Sequence, residues 1–286
     1  MQTKKIVIKA LGVWLNLMSI INPRKAAEKG LKLFCRPMRV PVNEKHLAFL
    51  KTASRSSFVF NNVTVETYKW GTGDRKILFL HGWQSHTYRW RKYIEAFDQN
   101  VYTIFSMDAP GHGLSGGKFL SVPTFGDAIE TFVQKEGAID AMIGHSMGCF
   151  AALYAFDQYP HVTPRAFVGL ASPGEATEFV HHFVSLLSLS ERTVKLVLRR
   201  FQEVFKKTPA DFSAKLFASK LSIPGLLIHD EQDTDTNVEH SKNINAAWKK
   251  STLVITRGLG HNLRSADVVK QVSMFIEETI GQLQHR

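Results

Sequence analysis

Five residues constrain this chain more than any others: Gly144-His145-Ser146-Met147-Gly148. A G-x-S-x-G run suits one local geometry, a sharp turn from a strand into a helix that lifts a serine hydroxyl clear of a sheet edge. The serine then sits in strained backbone, and a Cβ at either glycine would crowd the turn. Pentapeptides of this pattern arise by chance, so the flanks decide. Residues 138–143 form a short, mostly apolar run suited to a buried strand, and residues 149–156 are rich in helix formers, with small side chains near the start. Strand, turn and helix are the context that the pattern requires.

The rest of the chain repeats that alternation. Strands are expected near 76–80, 101–107, 138–143, 166–171, 225–229 and 252–256, with helical stretches between most of them. Residues 58–70 read as a hairpin turning at Asn61-Asn62, with Val63, Val65 and Thr67 alternating against Thr64, Glu66 and Tyr68. Such alternation predicts an α/β fold with a parallel sheet, right-handed crossovers and ligands at the carboxyl ends of the strands. Residues 1–57 are expected to be a basic helical lead-in, with Pro37 and Pro41 marking an extended linker. Residues 58–286 then form the main domain, with a short helical insertion at about 174–222. Phe179, Val180, Phe183, Val184, Leu186 and Leu187 of that insertion supply apolar surface, expected to roof the pocket.

A serine hydroxyl is a poor nucleophile alone and needs a base, an orienting acid and donors for the developing oxyanion. Hydrolases with this turn place the partners in the order Ser, then Asp or Glu, then His. The strand at 225–229 runs into Asp230-Glu231-Gln232-Asp233-Thr234-Asp235, and the strand at 252–256 into Arg257-Gly258-Leu259-Gly260-His261. Ser146, Asp233 and His261 are therefore the predicted triad. Asp235 competes with Asp233, which lies a short way into the loop, far enough for its carboxylate to turn toward a histidine. The backbone N–H groups of Trp83, just past the strand at 76–80, and of Met147 are the predicted oxyanion donors. His81 and His112 are expected to shape loops and to take no part in proton transfer.

With these residues in view the chain resembles the α/β-hydrolase superfamily, in particular its bacterial serine-hydrolase branch with a short helical cap. The resemblance is carried by His-Gly-Trp at 81–83, Asp-Ala-Pro-Gly-His-Gly-Leu-Ser at 108–115 and Gly-His-Ser-Met-Gly at 144–148. Ile-His-Asp-Glu-Gln-Asp at 228–233 and Gly-Leu-Gly-His at 258–261 complete it. It implies an eight-stranded, mostly parallel sheet with helices on both faces. It also implies Ser146 as nucleophile, His261 as base and Asp233 as acid. One departure is that Thr236-Asn237 stands where the family often has Val-Pro shortly after the acid. A serine at the nucleophile position argues against the branches whose chemistry needs a carboxylate there.

Charge and cysteines bound the remaining choices. The 286 residues carry a formal charge of +11, and residues 1–51 hold 11 Lys or Arg against Glu28 and Glu44, so the basicity belongs to the lead-in. No nucleic-acid-binding motif accompanies it, and nucleic acid is not an expected partner. The two cysteines, Cys35 and Cys149, suggest neither a disulfide framework nor a metal site, and point to a reducing, cytoplasmic setting. No cofactor is expected. Residues 6–21 are apolar except at Lys9, Asn16 and Ser19, and with Lys5 and Gly12 these fall on one narrow helical stripe. So wide an apolar face must be buried. The candidates are a peripheral membrane contact through residues 1–25, packing on the body or in a dimer, and a signal peptide. In the first, Trp14 would sit at headgroup level and Lys4, Lys5, Arg24 and Lys25 at anionic lipids.

The functional expectation is a serine hydrolase acting on a small-molecule acyl substrate with an apolar group, through an acyl-enzyme. Acyl transfer or C–C bond hydrolysis on the same triad, and a non-catalytic ligand-binding protein of the same fold, are the alternatives.

Overall fold

The computed structural model describes residues 2–281, with side chains from residue 6 onward. The side chains of Lys4 and Lys5, and residues 282–286 of the expected main domain, lie outside the described residues. Three helices precede the sheet: α1 (Gln2–Ile21), α2 (Pro23–Phe34) and α3 (Glu44–Leu50). Strands β1 (Ser54–Phe60) and β2 (Val63–Trp70) follow as an antiparallel pair with Phe60 opposite Val63. That register leaves Asn61 and Asn62 as a two-residue turn with φ of 48° and 58°. Two consecutive left-handed residues make the turn whose twist matches a hairpin, and asparagine tolerates that conformation well.

The remaining strands are β3 (Arg75–Leu80), β4 (Tyr102–Met107), β5 (Ala141–His145), β6 (Ala166–Leu170), β7 (Gly225–Asp230) and β8 (Ser251–Thr256). Together they form one eight-stranded sheet in the order β1-β2-β4-β3-β5-β6-β7-β8, and only the β1–β2 and β2–β4 pairings are antiparallel. The helices between and after the strands are α4 (Arg91–Ile94), α5 (Val122–Glu136), α6 (Met147–Gln158), α7 (Ala176–Leu187), α8 (Glu191–Phe205), α9 (Ala214–Ala218), α10 (Val238–Ala247) and α11 (Ala266–Gly281). Side-chain alternation along the central strands fills both faces. Ile77, Phe79, Ile143, Val168 and Ile228 pack with Val268, Val272, Ile276 and Ile280, an i, i+4 stripe on α11. Each such side chain, fully removed from water, stabilises by about 1.5–3 kcal/mol.

Two expected boundaries differ. β5 starts at Ala141 and not at residue 138, because the Asp140 carboxylate accepts the Lys76 N–H (2.8 Å) and pairs with Arg165 (3.4 Å) beside the sheet. Nor does the lead-in end at residue 57. Residues 2–36 join Glu175–Ser213 in one compact unit, and Pro37–Gly174 joins residues 214–281 in a second that carries the sheet. The physical reason is α3: Leu50 is in the sheet core, Phe49 stacks on Trp70 (5.4 Å), and the Trp70 indole donates to Thr52 (2.8 Å).

Within the smaller unit, α1 meets α7 and α8 through its small and polar stripe. A Cβ on Gly12 would lie 1.7 Å from the Leu187 carbonyl oxygen. Asn16 donates to Ser188 O (3.1 Å) and accepts from Ser190 N (2.8 Å) and Thr193 Oγ1 (2.9 Å). The polar stripe packs on protein and the wide apolar face points outward, so packing on the body is not what covers that face. Hydrogen-bond capacity explains the choice, since the turn at 188–190 offers bare backbone groups that only a polar side chain can satisfy.

Candidate active site

Ser146 sits at the junction of β5 and α6 with φ 51° and ψ −121°. The two glycines around it are required by space. A Cβ on Gly144 would lie 2.6 Å from the Cys149 Cα, and one on Gly148 would lie 2.3 Å from the Leu80 carbonyl oxygen. β5 and β3 are neighbours, so the same close approach brings the 81–83 loop onto the turn. A Cβ on Gly82 would meet Ser146 Cβ at 3.0 Å and His145 Nδ1 at 2.9 Å. Trp83 follows directly, half-buried and edge-on to His112 (5.6 Å). Met147 is the first residue of α6, where a backbone N–H has no partner within the helix and faces outward at its positive end.

Loop-shaping contacts fix this side of the site. His81 accepts the Ala109 N–H at Nε2 (3.0 Å), so its Nδ1 carries the proton and lies 2.8 Å from Gly82 O. His112 accepts the Gln84 N–H at Nε2 (3.0 Å) and turns Nδ1–H toward Pro110 O (3.1 Å). Asp108, fully buried, accepts from Thr87 N, Leu114 N and the Tyr68 hydroxyl.

On the other side the structure brings Asp233 and His261 together: His261 Nδ1 lies 2.8 Å from Asp233 Oδ2. The donor proton is therefore on Nδ1, and the lone pair on Nε2 is available as a base. Asp230 ends β7 and is occupied by Gln232 N, Thr256 Oγ1 and Leu259 N. Asp235 is exposed and contributes only its N–H, which donates to Asp233 Oδ1 (2.8 Å). Burial alone would raise the Asp233 pKa. The hydrogen bonds from His229, His261 and the backbone of Thr236 and Asp235 outweigh it and hold the carboxyl well below the usual range.

Three neighbours escaped the sequence reading. Thr236, which stands at the departure from the family pattern, donates its hydroxyl to Asp233 Oδ2 (2.9 Å), lies 3.2 Å from His261 Nδ1, and gives its N–H to Asp233 Oδ1 (3.0 Å). It fixes the Asp233 carboxylate in place, and Asn237 caps α10 instead of a proline. His229 faces Thr236 O (3.0 Å) and Asp233 Oδ2 (3.2 Å) with Nε2, so that nitrogen carries the proton, and Nδ1 accepts from Ser241 (2.7 Å). His145 packs edge-on against His261 (4.9 Å) and donates from Nε2 to the His261 carbonyl (2.8 Å). The signal for Thr236 was present as a hydroxyl three residues past the acid. His145 had none, since its role depends on a contact 116 residues away.

Ser146 reaches the same loop cluster through its neighbour His145. Among the described residues no hydrogen bond joins its hydroxyl to His261, and His261 Nε2 has no protein partner. Catalytic hydrogen bonds commonly tighten only with substrate in place. Among the described residues, no group of three His, Cys, Asp or Glu side chains has the geometry of a metal site. Cys149, directly behind the turn, is buried, and burial pushes its thiol up to about 12.

Comparison with known proteins agrees with this architecture. The family described as serine aminopeptidase, S33, matches residues 72–215, half of the chain, and ends before Asp233 and His261. A dihydrolipoyllysine-residue acetyltransferase component of the acetoin cleaving system of Cupriavidus necator is 24% identical over 181 residues. That stretch is 61% of this chain and 48% of the relative, so the chain spans about half the length of the curated protein it matches. Among solved structures, a membrane phospholipase A superposes with TM-score 0.64 at 16% identity, covering 95% of this chain and 98% of its own. Est1E from Butyrivibrio proteoclasticus, bound to ferulic acid, gives TM-score 0.64 at 19% identity over 79% of this chain and 100% of its own. With the sheet order and the serine turn already described, the match over residues 72–215 places this chain in the serine aminopeptidase S33 family of α/β hydrolases.

Proposed function

We propose that this protein is a serine hydrolase that cleaves a carboxylic ester or a related acyl bond. Ser146 attacks the carbonyl carbon while His261 Nε2 takes the hydroxyl proton. Asp233 holds the imidazole in that tautomer and stabilises the imidazolium. The N–H groups of Trp83 and Met147 receive the tetrahedral oxyanion, an arrangement in which one donor is worth about 3 kcal/mol. His261 returns its proton to the leaving oxygen, and water, activated by the same base, releases the acyl group. The observation that carries the reading is the 2.8 Å bond from His261 Nδ1 to a carboxylate held ionised by its other donors, at the strand end beside a serine of positive φ.

Ester is favoured over an aminopeptidase substrate for one reason. An aminopeptidase needs a carboxylate inside the site to receive the substrate ammonium, and the buried ones, Asp108, Asp230 and Asp233, are occupied by protein donors, while Asp235 is exposed at the surface. Acyl transfer, the activity in the name of the Cupriavidus necator relative, would use the same triad with an acceptor other than water.

The test is labelling by a fluorescent fluorophosphonate, wild type against Ser146→Ala, together with p-nitrophenyl esters of increasing chain length and amino-acid p-nitroanilides. Labelling that needs Ser146, with ester turnover far above anilide turnover, is the expected result. A folded protein that takes no label would make ligand binding the better reading.

A further inference from the structure

The smaller unit carries a surface that hydrolysis does not use. Gly12, Leu15, Asn16 and Ser19 hold α1 to its neighbours from one side. At 100° per residue, the opposite side forms an unbroken apolar arc of about 140°. It consists of Ile6, Val7, Ala10, Val13, Trp14, Leu17, Ile20 and Ile21, every one of them exposed. Seven of the sixteen exposed large apolar side chains among the described residues lie on this one helix, Ile21 at 84% and Ile6 and Ile20 at 66%. Apolar residues scattered over a surface need no partner, whereas a contiguous stripe of this length marks a docking face.

Charge identifies the medium. α2 follows after a single residue, Asn22, which caps it by accepting from Lys25 N. It buries Ala26, Ala27, Gly30 and Leu31 and exposes Arg24, Lys25, Lys29 and Lys32, with only Glu28 in opposition; Lys9 on α1 is exposed as well. A second copy of the chain would bring a like-charged α2 with it. An anionic bilayer would neutralise these cations and take up the apolar arc at the same time. No described helix is long and apolar enough to cross a membrane.

We propose that α1 and α2 dock this protein on the surface of an anionic lipid bilayer. α1 lies in the plane of the interface with its apolar arc at the acyl boundary and Trp14 at headgroup depth, and the cations of α2 contact lipid phosphates. Docking rests on surface chemistry alone and is independent of the triad.

Co-sedimentation of the full chain with large unilamellar vesicles tests this, using phosphatidylcholine alone and phosphatidylcholine mixed with phosphatidylglycerol. The wild type is expected to sediment with the mixed vesicles, more weakly with the neutral ones, and less as salt is raised. Leu17→Glu should lower the ratio of bound to free protein about tenfold or more. Lys25→Glu with Lys29→Glu should remove the preference for anionic vesicles. All these side chains are exposed, so circular dichroism should be unchanged. Absence of wild-type binding to either vesicle would overturn the proposal, as would binding indifferent to Leu17→Glu. A dimer by light scattering that Leu17→Glu dissociates, without vesicle binding, would assign the face to a second copy instead.

Discussion

Lowering the pH from 6.5 to about 5 perturbs a small set of groups in this protein. His81, His112 and His145 are buried. Burial, reinforced by the facing His112, lowers the His81 pKa to about 3. Burial lowers that of His112 to about 4. Burial and then the charge of Arg89 hold His145 well below 6.5. His81 and His112 therefore stay neutral in the native state at pH 5, whereas in the unfolded chain they titrate near their ordinary value of about 6.5, and His145 and the buried His86 are shifted in the same direction. The unfolded state therefore binds more protons, and stability falls with pH. The loss begins as pH drops through 6.5 and continues toward the folded values of about 3 and 4. Each group contributes a slope of up to about 1.4 kcal/mol per pH unit, so His81 and His112 alone remove about 3 kcal/mol between pH 6.5 and 5, and the lowered His145 and His86 add to the loss. That is a large share of the roughly 5–15 kcal/mol by which a domain is stable. Carboxylates titrate mostly below this window, which isolates the histidines. Urea unfolding followed by far-UV circular dichroism at pH 7, 6 and 5 gives the slope. His112→Gln, whose amide oxygen can still accept the Gln84 N–H, should remove about 1.5 kcal/mol of the loss between pH 6.5 and 5. A stability that is flat from pH 7 to 5, or a slope unchanged in His112→Gln, would refute the reasoning.

Three further outcomes follow from the site. Asp233→Asn should cut kcat by about 10³–10⁴-fold by stabilising the wrong imidazole tautomer, while Asp235→Asn stays near wild type; the reverse ranking in p-nitrophenyl ester assays would assign the acid to Asp235. Thr236→Val keeps the shape but deletes a hydroxyl bonded to an ionised carboxylate, and kcat/KM should fall about tenfold, in line with the roughly 1.5–3 kcal/mol of such bonds. Cys35 and Cys149, both buried with thiols pushed up to about 12, should react with a disulfide reagent only after denaturant is added; rapid labelling of the native protein would contradict their burial.

What could be read from the chain was whatever depends on local chemistry. Asn61-Asn62 specifies a turn of two left-handed residues, and Gly144 and Gly148 specify a backbone crossing too close for any Cβ. The pairing of Asp233 with His261 was legible because each stands just past a strand whose composition marks its end. What stayed hidden depends on contacts between distant segments. Asp140 reads as part of an apolar run until Lys76 and Arg165 are seen beside it. Thr236 read as a missing Val-Pro, although its hydroxyl holds Asp233. The helix α1 shows how periodicity can mislead, because it locates an apolar face without saying which side meets the rest of the protein.

The proposed triad takes Ser146 from the end of β5, Asp233 from the loop after β7 and His261 from the loop after β8. During synthesis the serine turn is therefore complete long before the histidine that would activate it has left the ribosome. The last strand pairing, Asp230 with Thr256 between β7 and β8, comes just ahead of the Gly258-Leu259-Gly260 turn that delivers His261. Long-range parallel pairings of this kind form slowly. Reaction of Ser146 with a covalent probe would then serve as a clock for the final step of folding, silent in every intermediate that lacks β8.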